Sequence, residues 1–456
     1  MKKTNTSQPD TLQRGLKERH IQLMALGACL GAGLFLGSAK AISLAGPAIL
    51  AAYALGGSIM FIIMRALGEL AVDKSVAGSF SYYANKYIGP LAGYLTGWNY
   101  WFMCVVVSVT EITAVAIYMG MWFPDIPRWY WSLGALLTIG SVNMMAVKFF
   151  GEIEVWSAII KIATVLLLII GGLGTIIFGL ANQGVGLGLD NLWKHNGFVP
   201  KGWINVTLAM PLVMFAFLGT EMLGITAGET QSPKKLIPRA ISSVLWRILF
   251  FYVGAMFVVL AIHPWNELDI HQSPFISVFE KLGIRTATGI VNFVIIIAAL
   301  STCNGSVYAS ARMLYSLSKQ NHAPRILGVT AQNGVPRRAL SVCLVMMAIG
   351  VLLNYLVPDR IFMWLAAIST FSAVWTWAII LLAQLIFRWK LSRSERKSLL
   401  YPMPLWPISG IIALCFLMFL LVIMAILPET RLALFIGPSF ILFLAMTYRW
   451  QKNNVD

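Results

Sequence analysis

Charge is the scarcest property of this sequence: 11% of its 456 residues are Asp, Glu, Lys or Arg, against about a quarter in a soluble globular chain. With 58% hydrophobic residues and a mean hydropathy of +0.77, too little polar surface is left to coat a water-soluble body of this size. A polytopic membrane protein is expected. Cysteine is sparse as well: Cys29, Cys104, Cys303, Cys343 and Cys415 all lie in apolar segments with no CxxC spacing. That excludes a disulfide framework and a zinc site, and the five read as small buried hydrophobes. The five histidines (His20, His195, His263, His271, His322) fall at or outside the ends of apolar segments, and there is no HExxH. An intramembrane enzyme would need a paired nucleophile and base or a metal, and nothing here supplies them. No GxxxxGK[ST] occurs, and the longest polar connections run to about 20 residues, so a transporting ATPase is excluded too. No cofactor is expected. Residues 1–18 are polar with no short apolar stretch before a cleavage site, so no cleaved signal peptide is expected.

Long apolar runs, by contrast, are abundant. A spanning helix needs about 20 apolar residues, and twelve segments qualify: 20–40, 45–70, 90–123, 128–148, 154–180, 203–227, 240–263, 275–315, 339–357, 361–388, 404–427 and 431–449. The third and eighth exceed what a bilayer requires, which implies tilt or extension beyond it. The fold class is therefore an all-α membrane protein of twelve transmembrane helices. Placing the amino terminus in the cytoplasm puts 24 of the 34 Lys and Arg inside and 8 outside, with Lys161 and Arg247 within spans. Such a bias sets both termini inside. The net charge of +16 then reads as topology signal and attraction to anionic lipid, not as a nucleic-acid surface.

Glycine stands where helices should be strongest. Leu26 to Gly37 carries Gly27, Gly31, Gly33 and Gly37, although an interior glycine costs a helix about 1 kcal/mol relative to alanine. Bare backbone at membrane depth is tolerated only where protein or a polar cavity receives it. Five spans per half would orient two halves oppositely, the plan of inverted-repeat transporters. The sixth span should then break where the first does, and it carries Gly219, Gly224 and Gly228 around Glu221. Counted from their entry points, Gly31 lies roughly 16 Å deep and Phe217 roughly 21 Å deep. Two antiparallel helices thus break near the midplane. Past Gly33 the outer half of the first span presents amides and a positive dipole end, suited to a carboxylate. Carbonyls at Phe215 to Leu218, and at Cys29 and Leu30, suit an ammonium group. Together they describe an α-amino acid site, the alternative being close packing of helices on glycine.

Ionisable residues within spans are functional candidates by default. Lys161, about 10 Å into the fifth span, reads as a proton carrier whose charged form is disfavoured by an apolar site, or as a lysine snorkelling to the interface. Glu111 reads as a proton carrier, a cation partner or a structural hydrogen-bonding residue. Glu221 reads as a proton carrier or as a cap on the inner half-helix. Phe217, at the break, is a candidate gate. Trp98, Tyr100, Trp101 and Phe102 read as interfacial or packing aromatics. Ser301, Thr302, Asn304, Ser306 and Ser310 give the eighth span a polar face for helix contact or pathway lining. Ser369 and Ser372, with Thr370 beside Trp375 and Trp377, are candidates for a side-chain pocket.

These residues sit in motifs that resemble a known family. GLKERHIQLMALGACLGAGLFLGSA, AGPAILAAY, MRALGELAV, GEIEVWSAIIKIATV, FLGTEMLGITAGETQSPKKLIPRAI and ARMLYSLSKQNHAPRIL look like the bacterial amino acid permeases of the amino acid, polyamine and organocation (APC) superfamily, closest to the proline permease branch. The resemblance runs from about Leu16 to Trp450. It implies a carrier in the bacterial inner membrane that imports a neutral amino acid of proline, histidine or aromatic type, usually with protons, and exchange on the same fold is the alternative. It implies residues 1–19 as a cytoplasmic tail, 20–200 and 201–390 as two inverted repeats, and 391–456 as two further spans and a second tail. The substrate-binding breaks fall on Gly31, Ala32 and Gly33 with Cys29 and Leu30, and on Phe215, Ala216, Phe217, Gly219 and Thr220 up to Glu221. Lys161 matches a lysine that replaces a bound sodium ion in some members. One departure is Ala32, where the family usually has Thr or Ser. The implied partners are an amino acid, protons and the bilayer, and neither sequence nor resemblance fixes the oligomeric state.

Overall fold

The structure, a computed structural model, describes residues 27, 30–76, 78–145, 147–179, 189–226, 233–270, 272–281, 286–331 and 334–453. Among these there is no strand. In chain order the helices are α1 (Ala32–Phe35), α2 (Gly37–Ala45), α3 (Ile49–Asp73), α4 (Ser79–Tyr87), α5 (Pro90–Trp122), α6 (Arg128–Met144), α7 (Val147–Phe178), α8 (Gly202–Phe215), α9 (Met222–Thr226), α10 (Pro233–Ile248), α11 (Ala255–Ile262), α12 (Pro274–Lys281), α13 (Ala287–Lys319), α14 (Arg337–Leu356), α15 (Ile361–Lys390), α16 (Arg393–Lys397), α17 (Ile408–Ile426) and α18 (Pro428–Asn453). A π-helical turn, Leu249–Gly254, joins α10 to α11.

Nine helices among the described residues are long and apolar enough to cross a membrane. They correspond to all the expected spans except the first, fourth and sixth. The first and sixth are the two segments in which glycine predicts a break, and both are interrupted. The fourth, α6, has 17 residues. Two boundaries differ from expectation. The first segment runs on to Ala45, and the chain turns only at Gly46, whose φ of +60° and close approach to Pro200 end α2. The expected eighth span, 275–315, is divided between α12 and α13, because Lys281 and Arg285 interrupt the apolar run that joins them in the sequence.

Large apolar side chains face outward on the long helices: Leu167, Ile170 and Ile177 on α7, Leu352 on α14, Met418 and Val422 on α17, Phe435 and Met446 on α18. An apolar exterior around helices whose backbone bonds are internal is what lipid demands. The interior is organised on α5. It starts at Pro90, where a missing N–H costs nothing, and packs mainly against α13, α15 and α4. Small residues admit these close crossings: a Cβ on Gly97 would meet Leu317 at 2.5 Å and one on Gly350 would meet Val109 at 2.3 Å. Several hydroxyls buried along α5 and α15 satisfy themselves on their own helix, as Ser108 does on Cys104 O, Thr113 on Val109 O and Thr370 on Ala366 O. Of the cysteines, Cys104, Cys303 and Cys343 are buried as expected, and Cys415 is exposed; Cys29 lies outside the described residues.

Candidate functional site

The first break is seen at Leu30 and Gly31, which bend rather than continue a helix. Gly31 is extended, with φ −110° and ψ −166°, and α1 begins at the next residue. The first amide of α1 finds its partner on another helix: Ala32 N–H donates to both carboxylate oxygens of Glu111 on α5, at 3.3 and 3.4 Å. A carboxylate at a helix start suits the dipole there. Gly31 itself is enclosed, since a Cβ would stand 2.9 Å from Glu111 Oε1 and 2.9 Å from Thr302 Oγ1. Leu30 is buried, and its N–H donates to Gly27 O. The expected carbonyl of Cys29 lies outside the described residues.

The second break follows α8. Residues 216–221 form consecutive turns rather than helix, and Gly219 adopts φ +95°, a conformation that costs glycine little and other residues much. Phe217 N–H bonds Met214 O and Leu218 N–H bonds Phe215 O, while the Thr220 hydroxyl donates to Phe217 O at 2.9 Å. Glu221 is fully buried and accepts from Gly219 N–H at 3.2 Å and from Trp377 Nε1–H of α15 at 3.4 Å. Its bonds thus fall on the turn and on α15. Phe217 is fully buried, 6.1 Å from the Tyr53 ring and 5.0 Å from the Tyr252 ring. The Tyr252 hydroxyl, in the π-helical turn, donates to Ala216 O at 2.8 Å.

The two breaks touch. A Cβ on Gly33 would lie 2.7 Å from Ala216 Cα, 3.2 Å from Ala216 N and 3.2 Å from Phe215 Cδ1. Only a residue without a side chain lets α1 meet the end of α8 backbone to backbone. The start of one half-helix and the end of another therefore share one buried place, with Glu111 bonded to the first break and Glu221 to the second.

Lys161 is completely buried on α7, and its Nζ donates to Gly27 O at 2.6 Å and to Ser301 Oγ at 3.0 Å. The ammonium sits on a carbonyl of the inner half of the first segment, and it does not snorkel. Ser301 Oγ–H donates to Glu154 Oε2 at 2.8 Å, and Asn304 Nδ2 donates to Glu154 Oε1 at 2.7 Å. The eighth-segment polar residues thus divide: Ser301 and Asn304 join α13 to α7, Ser310 bonds Val307 O and Cys343 Sγ, and Thr302 Oγ1 is buried without a partner among the described residues. Trp98 Nε1 donates to His322 O and Trp101 Nε1 to Cys343 Sγ, as packing aromatics do.

Of the expected site residues, Gly31, Ala32 and Glu111 converge, as do Gly33, Phe215 and Ala216, and Gly219 and Glu221. Ser369 and Ser372 are buried with hydroxyls that have no partner among the described residues, so neither bonds a described residue of a break; Ser372 O instead accepts Asn99 Nδ2 at 2.8 Å. Three participants have no place in the sequence reading: Glu154, Tyr252 and Gly27 as a lysine acceptor. Glu154 stands seven residues before Lys161, two helical turns on one face, which is a usable signal. Tyr252 carries none, being one aromatic within an apolar run.

Beyond Leu36 and Gly37 lies an open cavity of about 530 Å³, also lined by Lys40, Arg128, Asp359 and Phe362. Phe362 meets the Phe215 ring edge-on at 6.2 Å, so the cavity wall packs against the end of α8. Ion pairs Lys40–Glu429 at 3.5 Å and Arg128–Asp359 at 3.6 Å stand at its walls. Among the described residues no cluster of His, Cys, Asp and Glu could hold a metal ion.

Known proteins share this sequence closely. The family model for amino acid permeases matches residues 20–455. The chain is 53% identical over 441 residues to the uncharacterized amino acid permease YtnA of Bacillus subtilis (strain 168), covering 97% of this chain and 95% of that protein. It is 43% identical over 451 residues to the amino-acid permease AapA of the same organism, covering 99% and 97%. It is also 43% identical over 437 residues to the probable threonine/serine transporter YbxG of that organism, covering 96% and 94%.

Proposed function

The chain belongs to the amino acid permease family, and from that premise we propose a secondary active transporter that imports a neutral amino acid by proton symport. The family is one of multi-pass membrane transporters, not enzymes. The proposed architecture is twelve spans with both termini in the cytoplasm of a bacterial cell, residues 20–200 and 201–390 forming inverted repeats whose first helices are the two broken ones. The observation that carries the reading is the contact of Gly33 with Phe215 and Ala216. It joins an amide-rich start and a carbonyl-rich end, which is what a zwitterion needs and what a helix packed for stability alone does not provide.

In this reading the substrate carboxylate is held by backbone amides near Gly31 to Gly33, without help from a hydroxyl at Ala32. Its ammonium is held by carbonyls at Leu30 and Phe215 to Phe217, and Phe217 with Phe215 closes over it. Ser369 and Ser372 serve the side-chain pocket. Protonated Lys161 ties the inner half of the first segment to α7 and α13 through Gly27 O and Ser301 Oγ; loss of its proton removes the positive charge that strengthens these bonds and so frees that half to move. Alternating access then exposes the site to each side in turn.

Uptake into proteoliposomes tests this. An inward proton gradient should drive accumulation above equilibrium, and Lys161→Met should abolish it. Indifference to the gradient with ordinary exchange retained would assign the protein to exchange instead. For the substrate, the similarity to a probable threonine/serine transporter supports adding small hydroxylated amino acids to proline, histidine and the aromatics as candidates. Competition by twenty amino acids against one labelled substrate ranks them.

A further inference from the structure

The mechanism proposed so far requires Lys161 to lose its proton but gives it no route, because Lys161 is fully buried. Its surroundings supply one. Ser301 has a single hydroxyl hydrogen, and that hydrogen is committed to Glu154 Oε2 at 2.8 Å, so an oxygen lone pair is left to accept Lys161 Nζ–H at 3.0 Å. Donor, relay and acceptor are already aligned. Glu154 is 5% exposed and Ser301 3%, and Asn304 Nδ2 holds the second carboxylate oxygen at 2.7 Å, fixing its orientation. Asn304 Oδ1 in turn accepts Asn143 Nδ2 at 2.7 Å. Asn143 lines a partly open cavity of about 10 Å³ with Tyr308, Arg312 and Pro336, roughly the room of one water. The sequence Lys161, Ser301, Glu154 thus leads away from the breaks, about 10 Å along α7.

Resting on the proton-symport reading, we propose that Glu154 is the carboxylate that takes the proton from Lys161 through Ser301 and passes it to the cytoplasm. In the step, the Lys161 Nζ–H bond breaks as that proton joins Ser301 Oγ, and the Ser301 O–H bond breaks as its proton joins Glu154 Oε2. Two bonds to hydrogen break and two form. An ammonium and a carboxylate become an amine and a carboxylic acid, and the serine is unchanged. No net charge moves out of the buried cluster until the acid ionises toward water. Among the described residues, other groups that border the relay include Glu111 and Gly27 O on the break side, Cys303 on α13, and Arg312 at the small cavity. Of these Glu111 alone is a carboxylate, and its oxygens are engaged by Ala32 N–H, which leaves Glu154 as the acceptor for this serine.

The test compares wild type, Glu154→Gln and Ser301→Ala in proteoliposomes, reading gradient-driven accumulation and labelled-substrate exchange on the same vesicles across pH. A positioned acid or base contributes ~10²-fold to proton transfer and conformational steps absorb part of it, so the ratio of accumulation to exchange should fall about tenfold or more in both variants. The pH dependence of accumulation should flatten with it. If Glu154→Gln does not fold, Ser301→Ala alone decides, being a one-atom deletion that leaves lysine and carboxylate in place. Either variant keeping the wild-type ratio and pH profile overturns the relay while symport stands, and so does a loss in which exchange and accumulation fall together. A wild type that ignores the gradient overturns symport and the relay with it.

Discussion

Replacing Gly33 by alanine puts a methyl carbon 2.7 Å from Cα of Ala216 and 3.2 Å from its nitrogen. Both are backbone atoms, with no flexible end to swing aside. Moving the nearest contact out to 3.4 Å, where ordinary carbon contacts begin, needs about 0.7 Å of separation between α1 and the end of α8. Overpacking of this kind costs ~1–3 kcal/mol, and a displacement near 1 Å in a positioned site costs up to ~10²-fold in rate. Uptake by Gly33→Ala should therefore fall ~10- to 100-fold with the protein still folded. The same stretch holds its own comparisons. A Cβ on Gly37 has nothing nearer than Phe215 Cδ1 at 3.9 Å, and one on Gly31 meets side-chain ends of Glu111 and Thr302 at 2.9 Å. Uptake should rank Gly37→Ala near wild type, Gly31→Ala intermediate and Gly33→Ala lowest, with size-exclusion profiles of purified protein excluding misfolding. Wild-type uptake by Gly33→Ala, or an equal loss in all three, would refute the claim that the breaks meet there.

Tyr252→Phe removes the donor to Ala216 O and leaves a buried carbonyl short of a partner, at a cost of ~1–3 kcal/mol; a lower thermal midpoint together with weaker substrate affinity is expected, and an unchanged affinity would separate Ala216 from the site. Trp377→Phe deletes the indole N–H that reaches Glu221 at 3.4 Å while keeping an aromatic ring, so uptake should fall several-fold with folding retained, whereas unaltered uptake would remove Glu221 from the working site. His322, packed edge-on against Tyr94 and Tyr448, is pushed by burial below its ordinary value. Its folded form then binds fewer protons than the unfolded chain, so its stabilisation is present above about pH 6.5 and is lost as pH falls toward the lowered value. Thermal midpoints in detergent between pH 7 and 5 should decline less in His322→Phe than in wild type, and equal declines would contradict this.

How much of this was legible in the sequence follows from where each signal sits. Gly31 and Gly33 stand out because glycine is costly in an apolar helix, and their partner at Gly219 follows from counting spans. Their actual contact, Gly33 on Ala216, does not follow, because alanine in an apolar run carries no mark. Lys161 is conspicuous as a charge inside a span, but its acceptor at Gly27 and its relay through Ser301 depend on how α7, α13 and the first segment pack. Glu154 hides at the start of its span, where an acidic residue reads as boundary. The division of 275–315 into α12 and α13 was announced by Lys281 and Arg285 and outweighed by the hydropathy around them. Ser369 and Ser372 read as pocket residues from composition alone, and only their unpartnered hydroxyls keep them candidates.

The central claim is that one amino acid lies between the two breaks, carboxylate to the amides of the first and ammonium to the carbonyls of the second. A cryo-electron microscopy structure with the best competitor from the twenty-amino-acid panel bound tests it most directly. The account predicts the carboxylate within hydrogen-bond distance of N–H groups at Gly31 to Leu34 and the ammonium on carbonyls at Leu30 and Phe215 to Phe217. Density for the amino acid elsewhere, with Gly33 and Ala216 still in contact and no ligand beside them, would contradict it.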